Sequence, residues 1–282
     1  LLGTGAFGMI NDSDIYQRRY SSDGVPVTGE AHVNTIAGII QSDPNVTALV
    51  DGGWLVSWTS LNQGGSGWGI YQRRYSSTGE PAGSETRVNT TTDSIPSDPG
   101  ATALADGGWL VSWTSHVQDG NGAGIYQQRY SAGGEKAGAE TRVNTETAHS
   151  ESAPAVTSLA DGGWLVSWMS HGQLGQGYGI HQQRYTAAGV AIGGEVRVNT
   201  TVGDQFFPKV TALADGGWLV GWASRNQEDT EWDVYQQRYT AAGLATGGEV
   251  RVNTKTHGNL EEPSVTGLAD GGWLVSWTSE GQ

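Results

Sequence analysis

The sequence predicts an all-β fold, a five-bladed β-propeller of four-stranded antiparallel blades, on three observations. One unit of about 55 residues occurs five times, and its Asp-Gly-Gly-Trp motif begins at Asp51, Asp106, Asp161, Asp215 and Asp270. Each unit contains four short β-prone segments separated by glycine-rich turns. The two ends of the chain carry complementary halves of a unit. Four strands at this period are typical of propeller blades.

The third unit illustrates the predicted strands. They cover residues 156–160, 164–170, 180–186 and 195–200. The Asp-Gly-Gly sequence between the first two is a tight-turn signal. Along the second strand, Trp164, Val166 and Trp168 alternate onto one face. No stretch of the chain has the 3.6-residue periodicity of a helix, so a helical solenoid is excluded. A β-solenoid, which usually has shorter coils, is the remaining alternative.

The whole chain, residues 1–282, is predicted to be one propeller. Its units cover residues 44–98, 99–153, 154–207 and 208–262, and the closing blade combines 263–282 with 11–43. The strand at 273–279 is expected to pair with the strand at 15–20, which closes the ring without an exposed sheet edge. The alternative is a window cut from a longer array. One tryptophan of each second strand is expected between blades, namely Trp58, Trp113, Trp168, Trp222 and Trp277.

Composition and charge restrict the partners. The net charge is −14, which repels a phosphate backbone and makes nucleic acid an unfavourable partner. No apolar run approaches the roughly 20 residues of a membrane span, so membrane insertion is not expected. The chain has 44 glycines and no cysteine, so we expect tight turns and a packed core without disulfides.

The two ends of the predicted propeller differ between copies. The constant end carries the Asp-Gly-Gly turns and the turns after the third strands. The variable end carries the loop after each second strand and the link to the next blade, and these segments diverge in sequence. Sixteen of the 29 acidic residues lie at the variable end. Most arginines occupy repeated strand positions, where pairing with the constant glutamates is expected. Function tends to lie on variable loops held by a rigid scaffold.

Aromatic and amide side chains at the variable end are the predicted ligand contacts. Trp68, Tyr178 and Trp232 share the slot before the third strand, where other copies have Ala123 and Ser13. Phe206 and Phe207 form an apolar pair on a link. Flat aromatic faces among polar groups suit sugar stacking or protein contacts, although a cap over the blade core fits equally. The loops also hold glutamines at one repeated position, which suit bracing as well as binding: Gln63, Gln118, Gln173 and Gln227.

Calcium is the cation that the acidic loops favour. Asp229, Glu231 and Asp233 crowd one loop, and clustered carboxylate oxygens suit a hard cation. None of these loops has an established calcium-binding spacing, and a solvated acidic loop is the alternative. His181 replaces a tyrosine of the third strands and is expected to be a substituted scaffold position. The histidines give no transition-metal spacing.

The repeated strings resemble those of a bacterial repeat family. Residues 104–113 read Leu-Ala-Asp-Gly-Gly-Trp-Leu-Val-Ser-Trp, residues 118–130 end in Gln-Gln-Arg-Tyr, and residues 140–145 read Glu-Thr-Arg-Val-Asn-Thr. Such repeats are found in very large secreted proteins of the RTX and adhesin type. The resemblance implies a bacterial protein at the cell surface or outside the cell, and a chain that belongs to a larger polypeptide or assembly. The nonapeptide calcium repeat of RTX proteins is absent, so its calcium chemistry is not carried over.

Three functions follow from these observations. The leading expectation is a non-enzymatic, lectin- or adhesin-like module that recognises a glycan or another cell-surface ligand through the variable end. The second is a structural or assembly unit of a larger extracellular protein. The third is an enzyme such as a glycosidase or lyase, which would need two unique, facing carboxylates in a deep central cleft. The recurrence of aspartate and serine motifs in every copy favours a structural role for them over a catalytic triad.

Overall fold

The computed structural model describes residues 12–65, 67–118, 120, 122–172, 177–201, 203–225, 232–254 and 260–279. Within these ranges the chain forms twenty β-strands and no helix, and so none that could cross a membrane. Four sheets have four strands each and two have two strands each. Every pair of neighbouring strands is antiparallel and consecutive in sequence. The all-β prediction and the four-stranded antiparallel blades are confirmed.

The complete blades are numbered one to four. Blade one contains β3 (Gln41–Ala48), β4 (Trp54–Leu61), β5 (Trp68–Tyr75) and β6 (Thr86–Arg87). Blade two contains β7 (Ile95–Ala103), β8 (Trp109–His116), β9 (Ala123–Tyr130) and β10 (Thr141–Arg142). Blade three contains β11 (Ser150–Ser158), β12 (Trp164–His171), β13 (Tyr178–Tyr185) and β14 (Ala191–Arg197). Blade four contains β15 (Asp204–Ala212), β16 (Trp218–Arg225), β17 (Trp232–Tyr239) and β18 (Ala245–Arg251).

The chain ends form two half-blades. The N-terminal half-blade consists of β1 (Tyr16–Gln17) and β2 (Ala31–His32), and the C-terminal half-blade of β19 (Leu260–Gly267) and β20 (Trp273–Ser279). In blade three the predicted strands are confirmed in type and order, with shifted ends. β11 begins at Ser150 and not at residue 156, because its pairing with β12 continues beyond a bulge between Ser152 and Ala155.

The Asp-Gly-Gly turn is the same in every copy because its backbone conformation favours glycine at the first glycine position and leaves no room for a side chain at the second. Gly52 has a φ of 82°, a left-handed conformation that glycine adopts without strain. A Cβ on Gly53 would lie 2.2 Å from the carbonyl oxygen of Tyr75, so only glycine fits. The Gly53 N–H donates to Asp51 Oδ1 at 2.9 Å. Hydrogen bonds from the Arg74 side chain and from this N–H hold the pKa of Asp51 below its ordinary value.

At the constant end, one arginine joins each blade to the next. Arg129 binds Asp106 Oδ2 of its own blade at 2.5 Å, and its guanidinium lies 5.7 Å from the ring centroid of Trp164 in the following blade. Trp164 Nε1 donates to Gln127 Oε1 at 3.0 Å. Three further triplets repeat the arginine contacts: Arg74–Asp51–Trp109, Arg184–Asp161–Trp218 and Arg238–Asp215–Trp273. The constant end is therefore a repeated interblade joint.

The expected pairing of these third-strand arginines with the constant glutamates is wrong. Each arginine lies beside the turn of its own blade and binds the turn aspartate there. The glutamates face the preceding blade, where Glu140 Oε2 accepts the backbone N–H of Thr90 at 2.7 Å. The same contact joins three further pairs: Glu85 to Thr35, Glu195 to Thr145 and Glu249 to Thr200.

The predicted burial of the second-strand tryptophans is confirmed in the complete blades. These indole rings are fully buried: Trp58, Trp113, Trp168 and Trp222. Each of the last three belongs to an apolar cluster that combines two successive blades, so the core lies between the sheets. Trp277 in the C-terminal half-blade departs from the prediction and is only half-buried, because β20 has no third strand paired beside it.

The predicted pairing of the strand at 273–279 with the strand at 15–20 is not present in this structure. β1–β2 and β19–β20 form separate two-stranded sheets. Each half-blade nevertheless contacts its neighbour as a complete blade does: Trp54 Nε1 donates to Gln17 Oε1 at 2.8 Å, and Trp273 Nε1 to Gln236 Oε1 at 3.0 Å. The uncovered face of β20 leaves Leu274 56% exposed.

Candidate functional site at the propeller axis

A cavity of about 450 Å³ lies where the inner strands of all five repeats come together. These strands are β3, β7, β11, β15 and β19, the first strand of each unit. The lining residues are 43–45, 98–101, 153–156, 207–210 and 264–265. Because each inner strand contributes the same repeated positions, sequence differences between copies make the wall of the cavity asymmetric.

Each inner strand has a bulge, and the bulge contains a left-handed residue followed by proline. The register with the second strand shifts at this point in every copy. The left-handed residues have φ values between 51° and 54°: Asp43, Asp98, Ala153, Phe207 and Glu262. This conformation is uncommon for residues other than glycine, and a following proline restricts the backbone further. Strained backbone and bulges of this kind are enriched at functional sites.

Three of these five strained positions carry carboxylates. Asp43 and Asp98 line the cavity on the side of blades one and two, and Glu262 occupies the matching position on β19. All three residues are exposed. Asp98 Oδ2 accepts hydrogen bonds from Ser97 Oγ at 2.9 Å and from Thr114 Oγ1 at 3.1 Å, which fixes its orientation. Asp43 Oδ2 accepts a hydrogen bond from Ser42 Oγ at 3.0 Å.

The opposite side of the cavity has different chemistry. Ala153 and Phe207 replace the carboxylates in blades three and four, and Lys209 adds an exposed ammonium group to the wall. The equivalent of Lys209 in blade one is Asn45, and in blade two it is Gly100. The cavity therefore has an acidic side and a side that is apolar with a single lysine.

The structure brings four of the predicted ligand residues together in what we call the aromatic row. Phe206 is its centre, with ring centroids 5.0 Å from Tyr178 and 5.0 Å from Trp232. Phe207 lies 6.0 Å from Phe206 and lines the axial cavity. His171 extends the row beyond Tyr178, at 4.5 Å. The row thus connects the cavity to the variable ends of blades three and four.

The remaining predicted ligand residues lie elsewhere. Trp68 begins β5 in blade one, and its ring makes no contact with another ring in the described residues. Gln63 and Gln118 donate their side-chain amides to Glu85 and Glu140, which is the bracing role that their constancy also fits. Gln173 and Gln227 lie outside the described residues.

Glu151 is a buried carboxylate beside the bulge of β11. Its Oε2 accepts from Trp168 Nε1 at 3.0 Å and its Oε1 from Ser170 Oγ at 3.1 Å. Burial raises the pKa of Glu151 to about 7, and these two hydrogen bonds offset only part of that rise. In blades one and four a neutral glutamine, Gln41 or Gln205, accepts from the equivalent tryptophan.

His181 occupies the place of a tyrosine and is buried against Trp168, with ring centroids 6.2 Å apart. Neither of its ring nitrogens has a hydrogen-bond partner among the described residues. Burial lowers the pKa of His181 to about 4, so the ring is neutral at neutral pH. This buried environment agrees with the expectation that His181 is a substituted scaffold position.

Of the predicted calcium ligands, only Asp233 is described. Its Oδ1 accepts from Asn253 Nδ2 at 2.6 Å, and its Oδ2 lies 3.7 Å from Arg251. Asp229 and Glu231 lie outside the described residues. Across the part of the chain that is described, no three His, Cys, Asp or Glu side chains group as metal ligands. Calcium binding stays a prediction.

Sequence reasoning missed Asp43, Asp98 and Glu262 as a set. All were counted among the acidic residues of the variable end, but none was singled out. The usable signal is the proline that follows this position of the repeat in every copy: Pro44, Pro99, Pro154, Pro208 and Pro263. Aligning the copies on this proline places the three carboxylates at one position of the repeat.

Known structures with a similar fold include carbohydrate-active enzymes. An α-L-arabinanase from Penicillium chrysogenum in complex with arabinobiose has a TM-score of 0.59 and 14% identity, over 94% of this chain and 86% of that one. An α-L-arabinofuranosidase from Fusarium graminearum has a TM-score of 0.56 and 12% identity, over 84% and 74%. An endo-arabinase from Bacteroides thetaiotaomicron has a TM-score of 0.53 and 13% identity, over 83% and 88%. No protein family and no curated protein matches the sequence.

These similarities show a β-propeller fold. They also correct the expectation of a non-enzymatic lectin- or adhesin-like module, since the architecture over most of the chain is one that glycoside hydrolases use. The repeated turn aspartates pair with arginines of the scaffold, whereas Asp43 and Asp98, which other copies lack, lie at the axis. Asp43 and Asp98 line the axial cavity.

Proposed function

We propose that the chain is a glycoside hydrolase whose reaction takes place at the axial cavity. The observation that carries this proposal is the placement of Asp43 and Asp98 in the wall of one cavity, on strained, proline-anchored bulges, with Glu262 at the matching position of β19. Glycosidases of most families act through a pair of carboxyl groups on either side of the scissile bond. The names of the similar structures support an arabinose-containing glycan as the first substrate class to test.

In the proposed reaction one carboxyl group donates its proton to the glycosidic oxygen while the bond from that oxygen to the anomeric carbon breaks. A second carboxylate takes a proton from the attacking water, whose oxygen bonds to the anomeric carbon. Asp98 is the favoured base, because two hydroxyl donors fix its orientation in the wall. Glu262 has the longer side chain and an exposed position, which suits the acid that reaches the leaving group.

The proposal is tested by the release of reducing ends from linear arabinan and from arabinobiose. Asp98→Asn keeps the shape of the side chain but removes the base, and is expected to lower kcat by about 10²-fold or more. Asp93→Asn is the matched control, since it removes one exposed carboxylate from the same end of the protein without touching the cavity. Its kcat is expected to stay within about twofold of the parent. Equal rates in Asp98→Asn and the parent, or no hydrolysis by the parent, would overturn the proposal.

We further propose that the two half-blades join into a fifth blade. By repeat symmetry with β16 and β17, Trp273 would lie opposite Tyr20, and Val275 opposite Arg18. The chain has no cysteine, so the double variant Val275→Cys with Arg18→Cys gives a clean cross-linking test. Oxidation is expected to give an intrachain disulfide in the monomer. Cross-linked dimers, or no cross-link, would contradict closure within one chain.

We also propose that the protein is exported to the cell surface or beyond it, that it is related to the repeats of RTX and adhesin-type proteins, and that it binds calcium. An exported hydrolase of extracellular polysaccharide is consistent with the acidic surface, which keeps the protein soluble.

A further inference from the structure

The aromatic row is a continuous surface of rings and not a set of separate substitutions. Two successive steps of 5.0 Å join Tyr178 to Phe206 and Phe206 to Trp232, although these residues come from three strands in two blades. Phe207 then continues from Phe206 to the wall of the axial cavity. The surface therefore begins where the proposed reaction takes place and extends outward over blades three and four.

Solvent reaches every member of this row. Phe207 is 37% exposed, and the other three rings are half-buried. An aromatic ring held by neighbouring rings, with part of its face open, loses little conformational freedom when a ligand covers it. Asp204 stabilises one end of the row, because its Oδ1 accepts the backbone N–H of Tyr178 at 3.1 Å.

The scaffold does not require these rings. Phe206 corresponds to Ser42, Ser97 and Ser152 in the other blades, where the same bulge forms without it. Phe207 corresponds to Ala153, which adopts the same left-handed conformation. The slot of Tyr178 holds Ala123 in blade two, and that blade has the same four strands. A cap that the fold needed would be expected in each copy, so the rings have another use.

We infer that the aromatic row is a platform for successive sugar rings of a polymeric substrate, which runs from the axial cavity over blades three and four. This inference rests on the proposed function and names its substrate as an oligosaccharide or polysaccharide and not a single sugar. The C–H faces of sugar rings stack on aromatic faces, and several rings in a row offer more flat surface than one sugar can cover. The acidic side of the cavity would then act at one end of the bound chain.

The test compares substrates of different length in variants for which the chain itself provides the replacement. Phe206→Ser copies blades one to three, and Phe207→Ala copies blade three, so both are expected to fold. Each is expected to raise KM for linear arabinan about tenfold, because each variant removes an aromatic contact with a sugar ring. In Phe206→Ser, whose residue lies outside the cavity wall, KM for arabinobiose and kcat for both substrates are expected to change less than about twofold.

Trp68→Ala is the matched control, because Trp68 occupies the same slot as Tyr178 in a blade that has serine at the position of Phe206. It is expected to leave KM for linear arabinan unchanged. Equal losses in Trp68→Ala and Phe206→Ser, or equal losses on the short and long substrates, would overturn the platform. Thermal unfolding of each variant confirms that the comparison is made between folded proteins.

A binding measurement separates this inference from the proposed reaction. Electrophoresis in gels that contain linear arabinan, xylan or polygalacturonate reports binding without hydrolysis. Retardation of the parent by one of these polymers, lost in Phe206→Ser and in Phe207→Ala but kept in Trp68→Ala, supports the platform even if no bond is cleaved. Retardation that both phenylalanine variants keep, or a parent that none of the polymers retards, contradicts it.

Discussion

The constant end and the variable end of this propeller use the same residue types for opposite purposes. At the constant end an aspartate such as Asp106 binds a backbone N–H of its own turn and an arginine of its own blade. At the variable end Asp43 and Asp98 are aspartates too, but they lie on strained bulges that line a cavity. A carboxylate that recurs in every copy is scaffold here, and one that appears in only some copies is a candidate for chemistry.

The comparison extends to the aromatic residues. One tryptophan of the second strand recurs in each complete blade, is fully buried, and fills the space between sheets: Trp58, Trp113, Trp168 and Trp222. The aromatic row is confined to blades three and four and remains partly open to solvent. Changes at the repeated positions should therefore affect stability, and changes at the divergent positions should affect function.

The largest expected effect is on the interblade core. Trp168→Ala removes a fully buried indole and should lower the free energy of unfolding by about 3–5 kcal/mol. Trp277→Ala at the equivalent, half-buried position of the C-terminal half-blade should cost roughly half as much, because burial scales with the area removed from water. Urea denaturation measures both. A loss below about 1 kcal/mol for Trp168→Ala would remove the basis for the interblade core.

Glu151→Gln tests a repeated position that has diverged. The folded-state pKa of Glu151 is about 7, above the ordinary 4.5, so the folded protein binds this proton more tightly than the unfolded chain does. Its contribution to stability is full below pH 4.5 and is lost as the pH rises through 7. Glutamine, which blades one and four have here, should raise the free energy of unfolding by up to about 3 kcal/mol at pH 8 and little at pH 4.

The matched control for Glu151→Gln is Glu146→Gln, which neutralises an exposed carboxylate on the same link. Chemical denaturation at pH 4, 6 and 8 gives the profiles of both variants. If the free energy of unfolding of Glu151→Gln depends on pH in the same way as that of the parent, the Glu151 carboxyl group is not desolvated in the folded protein, contrary to the structure.

His181→Tyr should produce the opposite dependence on pH. The pKa of His181 is lowered to about 4 from 6.5, so the unfolded chain binds the proton more tightly. The neutral, buried ring of His181 therefore makes its full contribution to stability above pH 6.5, and this contribution is lost as the pH falls toward 4. Tyrosine, which the four other copies have at this position, should remove an acid sensitivity of up to about 3 kcal/mol. The free energy of unfolding of the variant and of the parent is measured at pH 4.5 and 7.5. The prediction is refuted if the difference between the two proteins is the same at both pH values.

Among the changes at repeated positions, Asp161→Asn is expected to have the smallest effect on stability. Its contact with Arg184 is close, but about half of the carboxylate is exposed to solvent, which screens the ion pair. The cost should be about 1 kcal/mol, or a fall in Tm of roughly 2–4 °C for a chain of this size. Scanning calorimetry at low and high salt checks the assignment, since the difference from the parent should shrink as salt screens the pair.

Much of the fold was predictable because the repeat made local signals redundant. Five copies of the Asp-Gly-Gly turn and the alternation of Trp164, Val166 and Trp168 were enough to place the second strands. The bulge was not predictable, because nothing in an Asp-Pro or Phe-Pro pair specifies a positive φ. Pairing of the arginines was misjudged because the choice between two carboxylates depends on which end of the blade each side chain reaches.

The candidate site was predictable only in part, because the sequence does not show which residues of different blades come together. Tyr178, Phe206 and Trp232 were each singled out, but their contact depends on how successive blades meet around the axis, and spacing along the chain carries no such information. Gln63 and Gln118 shared the same loops and turned inward to the constant glutamates. Asp98 was overlooked because a single aspartate among many acidic loop residues has no distinguishing pattern until its backbone is seen.

The measurement that tests the contrast between the two ends most directly is a paired assay of Asp98→Asn and Asp161→Asn. Both replace one aspartate by its amide, one at the axis and one at a turn. Hydrolysis of linear arabinan and Tm are measured for each. We predict that Asp98→Asn loses about 10²-fold or more in kcat with little change in Tm, while Asp161→Asn loses Tm and keeps its kcat. An Asp98→Asn variant as active as the parent, or a folded Asp161→Asn variant without activity, would contradict the division of the molecule into a structural and a functional end.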